Sequence, residues 1–298
     1  MLWAFITVFA ALMQALRNAG QKTLGTHLPV LIVTWVRFAF GLPIAAGLVL
    51  LLFADKSPAN QLQTAFLSYA AIAALAQFSG ALCAVKLLNR RNFAVGATLV
   101  KSETLFAALL SLFLLGESLS LVAWLSVAIG VTGVFIISVQ QANLDAATLI
   151  KKLDTPSAGL GLLSGLLFAI AAIYIRKANL SLTDSTSYQA ASLTLLTVLF
   201  AQSLLGGCYI ALLSPTLFKS IRRHLKACLF IGTVSVLGSF GWFWAYALQN
   251  ITLVKTLGHL EILFAMAITW RYFREKIHWL EYLAILMIVG SSLLVIWL

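Results

Sequence analysis

The chain alternates between long apolar stretches and short polar connections along its whole length. A membrane-spanning helix needs roughly 20 residues to cross about 30 Å of hydrocarbon. Ten stretches reach that length, at residues 2–20, 30–53, 64–88, 93–115, 119–140, 158–178, 186–213, 227–248, 251–272 and 279–298. Backbone groups inside hydrocarbon must be hydrogen-bonded within their own segment, so these stretches are expected to be helical. The pattern predicts an all-α integral membrane protein with ten transmembrane helices.

Composition agrees with a membrane protein and leaves little chain outside the bilayer. Hydrophobic residues make up 61% of the 298 positions and charged residues 10%, whereas a soluble domain carries about 25% charge. The connections are too short to hold a soluble catalytic domain. We therefore expect the lipid bilayer to be the main surroundings of this chain.

The two halves of the chain resemble each other when one is shifted by 158 positions. The shift places Glu103 on Glu261, in a chain that has only nine Asp and Glu residues. It also places the tripeptide at 105–107 on an identical one at 263–265. Apolar segments match easily by chance, so the aligned carboxylates are the stronger evidence. The sequence predicts an internal duplication.

The duplication predicts two five-helix repeats, residues 1–140 and 158–298, joined by a polar connector at 141–157. Because five is an odd number, the second repeat enters the membrane from the opposite side and is inverted relative to the first. Inverted repeats with a site near the bilayer midplane are typical of secondary transporters that work by alternating access.

Glu103 and Glu261 are the first candidates for function. Each lies near the middle of its stretch, where an ionised carboxylate facing lipid costs about 2.5 kcal/mol or more. Both are expected to face the protein interior, as proton carriers or as ligands for a solute amine. A structural ion pair or a hydrogen bond between helices is the alternative.

Three cationic or titratable residues are expected in the same central cluster. Lys101 and His259 are equivalent under the 158 shift. On a continuous helix each would point nearly opposite its glutamate, two residues away, and so would need another partner. Arg37 has no equivalent in the second half; it could grip a carboxylate or phosphate of a solute, or neutralise Glu103.

Polar and aromatic residues on other stretches are candidates for a cavity lining. Gln14 belongs to a polar stripe on the first stretch, and Gln77 lies on the third. Trp242 and Tyr246 share one face of the very aromatic eighth stretch. Aromatic residues near span ends also form interfacial belts, so these two could instead mark the membrane surface.

Charge distribution predicts an orientation. Most of the 20 Lys and Arg residues lie in alternate connections, whereas Lys56, Arg176 and Lys177 lie on the other side. Positive connections stay in the cytoplasm, which places both termini outside the inner (plasma) membrane. Because the basic residues are spread around the membrane edges, we expect no nucleic-acid partner.

The cysteines and histidines do not predict a bound metal or cofactor. Cys83, Cys208 and Cys228 are far apart in sequence, and none of the four histidines has the spacing of a ligand motif. We expect no metal, no cofactor and no catalytic residues.

Short motifs near the carboxylates resemble those of a known family. Leu115-Gly116-Glu117 is followed by the glycine-bearing helix of Gly130 and Gly133. In this respect the chain resembles the EamA-type branch of the drug/metabolite transporter superfamily, in which each five-helix half carries a Leu-Gly-Glu-like corner before its last helix.

The second half follows the family pattern less closely. It has Phe273-Arg274-Glu275 at its corner, with Gly290 beyond. Many members place a proline about 14 residues before the corner glutamate, where this chain has Glu103 and Glu261. The resemblance implies ten helices in two inverted halves, with helices 1–4 and 6–9 around a cavity and secondary transport of small metabolites.

The sequence predicts a secondary transporter of a small metabolite, coupled to protons. Lys101, Arg37 and His259 outnumber the two central carboxylates, which favours an anionic or zwitterionic, amino-acid-like solute. A flat aromatic or cationic solute is an alternative because of the eighth stretch. A membrane-embedded enzyme or a non-transporting membrane protein ranks lower, because no nucleophile, metal set or acidic motif is clustered.

Overall fold

The computed structural model describes residues 1–54, 62–88, 99–141, 156–213, 218, 221–273 and 279–297. Its α-helices are α1 (Leu2–Leu24), α2 (Val30–Ala39), α3 (Leu42–Leu52), α4 (Thr64–Leu88), α5 (Glu103–Leu110), α6 (Leu121–Gln141), α7 (Pro156–Leu180), α8 (Ser187–Leu213), α9 (Leu225–Leu248), α10 (Ile251–Gly258), α11 (Leu260–Phe273) and α12 (Trp279–Ile296). A π-helical turn, Ser111–Leu115, extends α5, and a 3₁₀ turn, Arg222–His224, precedes α9.

These helices confirm the all-helical membrane fold. Nine helical segments in the described chain are long and apolar enough to cross a membrane, and Glu103–Leu115 is a shorter apolar tenth. Ten helices therefore fit both the sequence and the structure. Some residues of the sequence predictions lie outside the described residues. They are 93–98 of the fourth predicted stretch, 142–155 of the connector, Lys56, Arg274 and Glu275.

The outer surface of the helices is apolar. Phe5, Phe113 and Leu212 are 75%, 77% and 83% exposed, and each lies on a different helix. Large apolar side chains exposed in this way would be a liability in water. In a bilayer they face lipid tails, and the helical backbone leaves few polar groups exposed there.

Among the described residues, the chain bends within the second predicted stretch and turns at the end of the fourth. The second predicted stretch bends at Phe40 and Gly41 because Pro43, in the first turn of α3, has no N–H to donate back to α2. After the π-helical turn, Gly116 has a φ of 66°, a left-handed conformation that favours glycine. The chain turns there, and the Ser120 hydroxyl accepts the Ala123 N–H in the first turn of α6.

Contacts divide the chain into two units, each of which draws on both halves of the sequence. The first unit comprises Met1–Ala4, Ala76–Ile173 and Gln249–Leu298. In it α6 packs along α12, with Val134, Ile137, Ala284 and Ile288 as a buried apolar core. Gly133 makes this packing close, since a Cβ there would lie 2.9 Å from the Ala284 carbonyl oxygen.

The second unit comprises Phe5–Leu75 and Tyr174–Leu248. Its core joins α2, α8 and α9 through buried residues such as Ile32, Ile210 and Ile231. The Trp35 indole N–H donates to the Ser203 carbonyl oxygen at 2.9 Å, which ties α2 to α8. The two units are defined by contacts between residues, whereas the predicted repeats at 1–140 and 158–298 are successive segments of the sequence. The repeats remain a prediction.

Candidate functional site

The two aligned stretches are interrupted at the same point, directly before the aligned glutamates. In the first, the chain turns at Lys101 and Ser102, and α5 begins at Glu103. In the second, it turns at His259, and Glu261 lies in the first turn of α11. Matched interruptions in the two halves are a strong indicator of a transporter's binding site. The positive end of each helix dipole also favours a carboxylate there.

A glycine on a neighbouring helix packs against each interruption. A Cβ at Gly165 of α7 would lie 2.9 Å from the Val100 carbonyl oxygen and 3.0 Å from the Ser102 hydroxyl. A Cβ at Gly130 of α6 would lie 3.0 Å from Nδ1 of His259. Side chains at these two positions would push into the turns. The glycines therefore let the irregular backbone be covered by protein, as backbone at membrane depth requires.

Glu103 forms an ion pair that connects the two halves of the sequence. The Lys255 Nζ of α10 donates to Glu103 Oε1 at 2.5 Å. The side chains are 19% and 23% exposed, so the pair is largely withdrawn from solvent. The pairing removes much of the cost of a lone charge at this depth. Lys255 therefore neutralises Glu103.

His259 is held by the residue next to Glu103. Its ring is buried, and Nε2 lies 3.0 Å from the Thr104 hydroxyl. Its Nδ1 is buried with no hydrogen-bond partner among the described residues. The charges of Lys101 and Lys255 both act on this ring. The first unit thus contains Glu103, Lys101 and His259 together with Lys255 and Thr104.

Glu261 and Gln77 also belong to the first unit. Both are half-buried, Glu261 on α11 and Gln77 on α4. On continuous helices Lys101 and His259 would lie on the opposite face from the glutamates. Both helices are interrupted at these positions, so the positions of the two side chains do not follow from helical spacing.

The remaining candidates lie in the second unit. The Trp242 indole N–H donates to Gln14 Oε1 at 2.9 Å, and the rings of Trp242 and Tyr246 stack with centroids 6.1 Å apart. Both aromatic residues are buried. Arg37, near the end of α2, places its guanidinium 4.4 Å from the centre of the Phe38 ring. A solute-binding role for these four residues remains a prediction.

Lys255 and Thr104 are the residues that sequence reasoning did not select. Lys255 stands out as one of three cations inside the predicted stretches, and a buried charge needs a counterion. Its equivalent under the 158 shift is Ala97, so the repeat gives no indication of its importance. Thr104 carries no sequence signal, because threonine is common in membrane helices.

In the part of the chain that the structure describes, no group of three or more His, Cys, Asp or Glu residues could hold a metal ion. The site consists instead of an ion pair, a hydrogen-bonded imidazole and interrupted helices inside an apolar bundle. Such features are typical of multi-pass membrane proteins that carry solutes.

Comparison with known families agrees with that class. The family model described as "EamA-like transporter family" matches residues 1–139 and 155–297. These two matches cover nearly the whole chain. The chain belongs to the EamA-like transporter family and is a membrane transporter, not an enzyme.

Comparison with solved structures supports the fold. A structure described as "Crystal structure of protein" matches with a TM-score of 0.74 and 14% sequence identity, over 98% of this chain and 94% of that one. At this identity the likeness concerns the fold alone. Comparison with curated protein sequences gives no match.

Proposed function

We propose that this protein is a proton-coupled secondary transporter that moves a small anionic or zwitterionic, amino-acid-like metabolite by alternating access. The observation that carries the proposal is the Glu103–Lys255 ion pair at the first of two matched helix interruptions. Protonation of Glu103 would remove its charge and release Lys255. A proton could thus change the contact between α5 and α10, which belong to different halves of the sequence.

The charges around the pair support the choice of solute. Lys101, Lys255 and His259 lie in the first unit with Glu103, and Glu261 lies in the first turn of the helix after His259. When Glu103 is protonated, Lys255 could bind an acidic group of a solute, with Lys101 in the same unit. An amino-acid-like solute could also offer an ammonium to a carboxylate, in place of Lys255.

The test is solute flux in liposomes with an imposed pH gradient, across a panel of metabolites. We expect Glu103→Gln to reduce gradient-driven flux at least tenfold, because the amide cannot exchange the proton. Glu261→Gln is expected to impair flux as well. Both variants should still insert into the membrane. The matched control is Glu281→Gln, which changes a carboxylate in the first turn of α12, and it should retain flux.

A double variant separates coupling from structural pairing. Glu103→Gln alone leaves Lys255 without its carboxylate, which should cost about 1.5–3 kcal/mol of stability. Glu103→Gln combined with Lys255→Met removes both charges and should recover much of that stability, but not the pH-driven flux. Recovery of flux in the double variant would mean that the pair is structural. Unchanged flux in both glutamine variants would remove the two glutamates from the mechanism.

A further inference from the structure

Two imidazole rings stack at one end of the second unit. His27 lies in the turn between α1 and α2, and His224 lies in the 3₁₀ turn before α9. Their ring centroids are 5.1 Å apart, and their planes are inclined by 16°. Leu28, next to His27, and Ile221 belong to one buried apolar core, which holds the two segments together. Because α1 ends here and α2 and α9 begin here, the pair lies where three membrane-spanning helices reach the bilayer edge.

Three exposed cations flank His224 along the chain, Arg222, Arg223 and Lys226. None of the three forms an ion pair with a described residue. The single carboxylate among the described residues of the second unit, Asp184, lies before α8. The basic residues follow the other end of α8, whose 27 residues separate the two ends by about 40 Å. We call His27, Arg222, Arg223, His224 and Lys226 the basic edge.

The cations at the opposite end of the second unit are engaged by the protein itself. Arg176, near the end of α7, donates to the Tyr246 carbonyl oxygen. The Lys177 Nζ lies 5.5 Å and 6.0 Å from the ring centres of Tyr174 and Tyr69. Those charges therefore have partners within the fold, whereas the Arg and Lys side chains of the basic edge extend from exposed positions.

An exposed apolar face of α9 adjoins the basic edge. Leu225 and Leu229 are 47% and 48% exposed, and because they are four residues apart they share one face of the helix. Lys226 directly follows the first of them. A soluble anion needs only the positive charges, but an anionic phospholipid matches both features, with its phosphate among the cations and its acyl chains along the leucines.

We propose that the basic edge binds the phosphate headgroup of an anionic phospholipid, whose acyl chains lie along the exposed face of α9. Guanidinium groups such as those of Arg222 and Arg223 match phosphate oxygens with paired N–H donors. The inference does not depend on the proposed transport function, because the residues and the ligand are different.

The stacked histidines make this binding depend on pH. Neutral rings stack without charge, whereas two imidazolium rings 5.1 Å apart repel each other. The charged groups on the adjoining elements, Lys22 in the last turn of α1 together with Arg222, Arg223 and Lys226, have the same sign. A phosphate placed beside the rings offsets this repulsion and accepts their N–H groups. Anionic lipid should therefore bind more tightly when His27 and His224 are protonated.

The first test measures lipid binding to the purified full-length protein in uncharged detergent. The probes are short-chain phosphatidylglycerol and short-chain phosphatidylcholine. We expect a saturable rise in melting temperature with phosphatidylglycerol and none with phosphatidylcholine. Removing both arginines, as Arg222→Gln with Arg223→Gln, should weaken the apparent affinity about thirtyfold, because each charge beside a headgroup contributes about 1 kcal/mol. No response to phosphatidylglycerol in wild type would overturn the site.

The matched control removes an exposed charge at another helix end. Lys86→Gln changes a lysine in the last turn of α4, in the first unit, and should leave the phosphatidylglycerol response unchanged. A loss in Lys86→Gln as large as that in Arg222→Gln alone would show that the lipid responds to basic residues in general, which would overturn a local site.

The second test addresses the histidine pair. The phosphatidylglycerol response is measured at about pH 5.5 and about pH 8, on either side of the ordinary imidazole pKa of about 6.5. Wild type should bind more tightly at the lower pH, and His27→Gln with His224→Gln should remove that difference while keeping the response at the higher pH. His27→Phe retains a ring that can stack but carries no charge, and it should also reduce the difference. Full retention of the pH difference in His27→Phe, or no difference in wild type, would overturn the role of the pair.

Two further arms identify the source of the phosphate and separate this site from transport. Inorganic phosphate at the lipid concentration should not compete with phosphatidylglycerol, because it lacks acyl chains. Equal competition would assign the basic edge to a soluble anion and overturn the lipid site. Glu103→Gln should lose pH-driven flux yet keep the full lipid response, so failure of the transport proposal leaves this site standing, and the reverse also holds.

Discussion

At the residue scale, a membrane-buried charge predicts that a partner exists but not which residue it is. Glu103 needed a counterion because of its depth, and the structure supplies Lys255, 152 positions away in sequence. Nothing near Glu103 in the chain indicates that choice, since the repeat places Ala97 opposite Lys255. The partner depends on how α10 packs against α5, which a single sequence does not reveal.

The hydrogen bond between Thr104 and His259 is testable at the same scale. Thr104→Val removes the hydroxyl from Nε2 and leaves the buried ring short of a partner. We expect a loss of about 1–3 kcal/mol in the free energy of unfolding, measured by chemical denaturation in detergent. Thr104→Ser keeps the hydroxyl and should lose less stability.

In the control Thr132→Val, an exposed hydroxyl on α6 is removed, and stability should change by about 0.5 kcal/mol or less. Equal stabilities for Thr104→Val and this control would contradict the role of the bond.

At the element scale, helix existence was predictable but helix continuity was not. The apolar stretches predicted the helices well, as at Thr64–Leu88, which the structure reproduces at both ends. The interruptions before Glu103 and Glu261 carry weaker signals. Gly258 marks the second, but the equivalent residue in the first is Val100. The turns are maintained by packing against Gly165 and Gly130, which is a tertiary effect.

Two glycines on α7 provide a matched test of the first interruption. Gly165→Ala would bring a methyl group against the Val100 carbonyl oxygen at 2.9 Å, whereas Gly159→Ala meets nothing within 4 Å. We expect Gly165→Ala to lose about 1–3 kcal/mol of stability together with most of its flux. Gly159→Ala should be neutral, or more stable by up to about 1 kcal/mol. Thermal unfolding and liposome flux measure both effects. Normal flux in Gly165→Ala would show that the close contact is dispensable.

At the scale of the whole molecule, the apolar surface and the family establish a multi-pass membrane transporter. Membrane orientation is a further prediction, from the distribution of Lys and Arg around the helix ends. Both termini should lie outside the plasma membrane. The sequence predicts this from charge alone, because neither apolar pattern nor packing distinguishes the two faces of a bilayer.

Reporter fusions in a bacterial host check the orientation. A phosphatase that is active only outside the cytoplasm should be active when fused after residue 297, and a fluorescent protein that matures only inside should be dark there. The same phosphatase inserted after residue 220, in a basic connection, should be inactive. The opposite result at both positions would invert the orientation.

The pairing of Glu103 with Lys255 has a consequence for how such a chain could be divided. Two identical polypeptides built from the first half would supply the carboxylate twice and the ammonium not at all, because Ala97 stands in the lysine's place. Separately expressed fragments would have to assemble as unlike partners in a one-to-one ratio. Encoding both in a single reading frame fixes that ratio and prevents either fragment from being replaced by a second copy of the other.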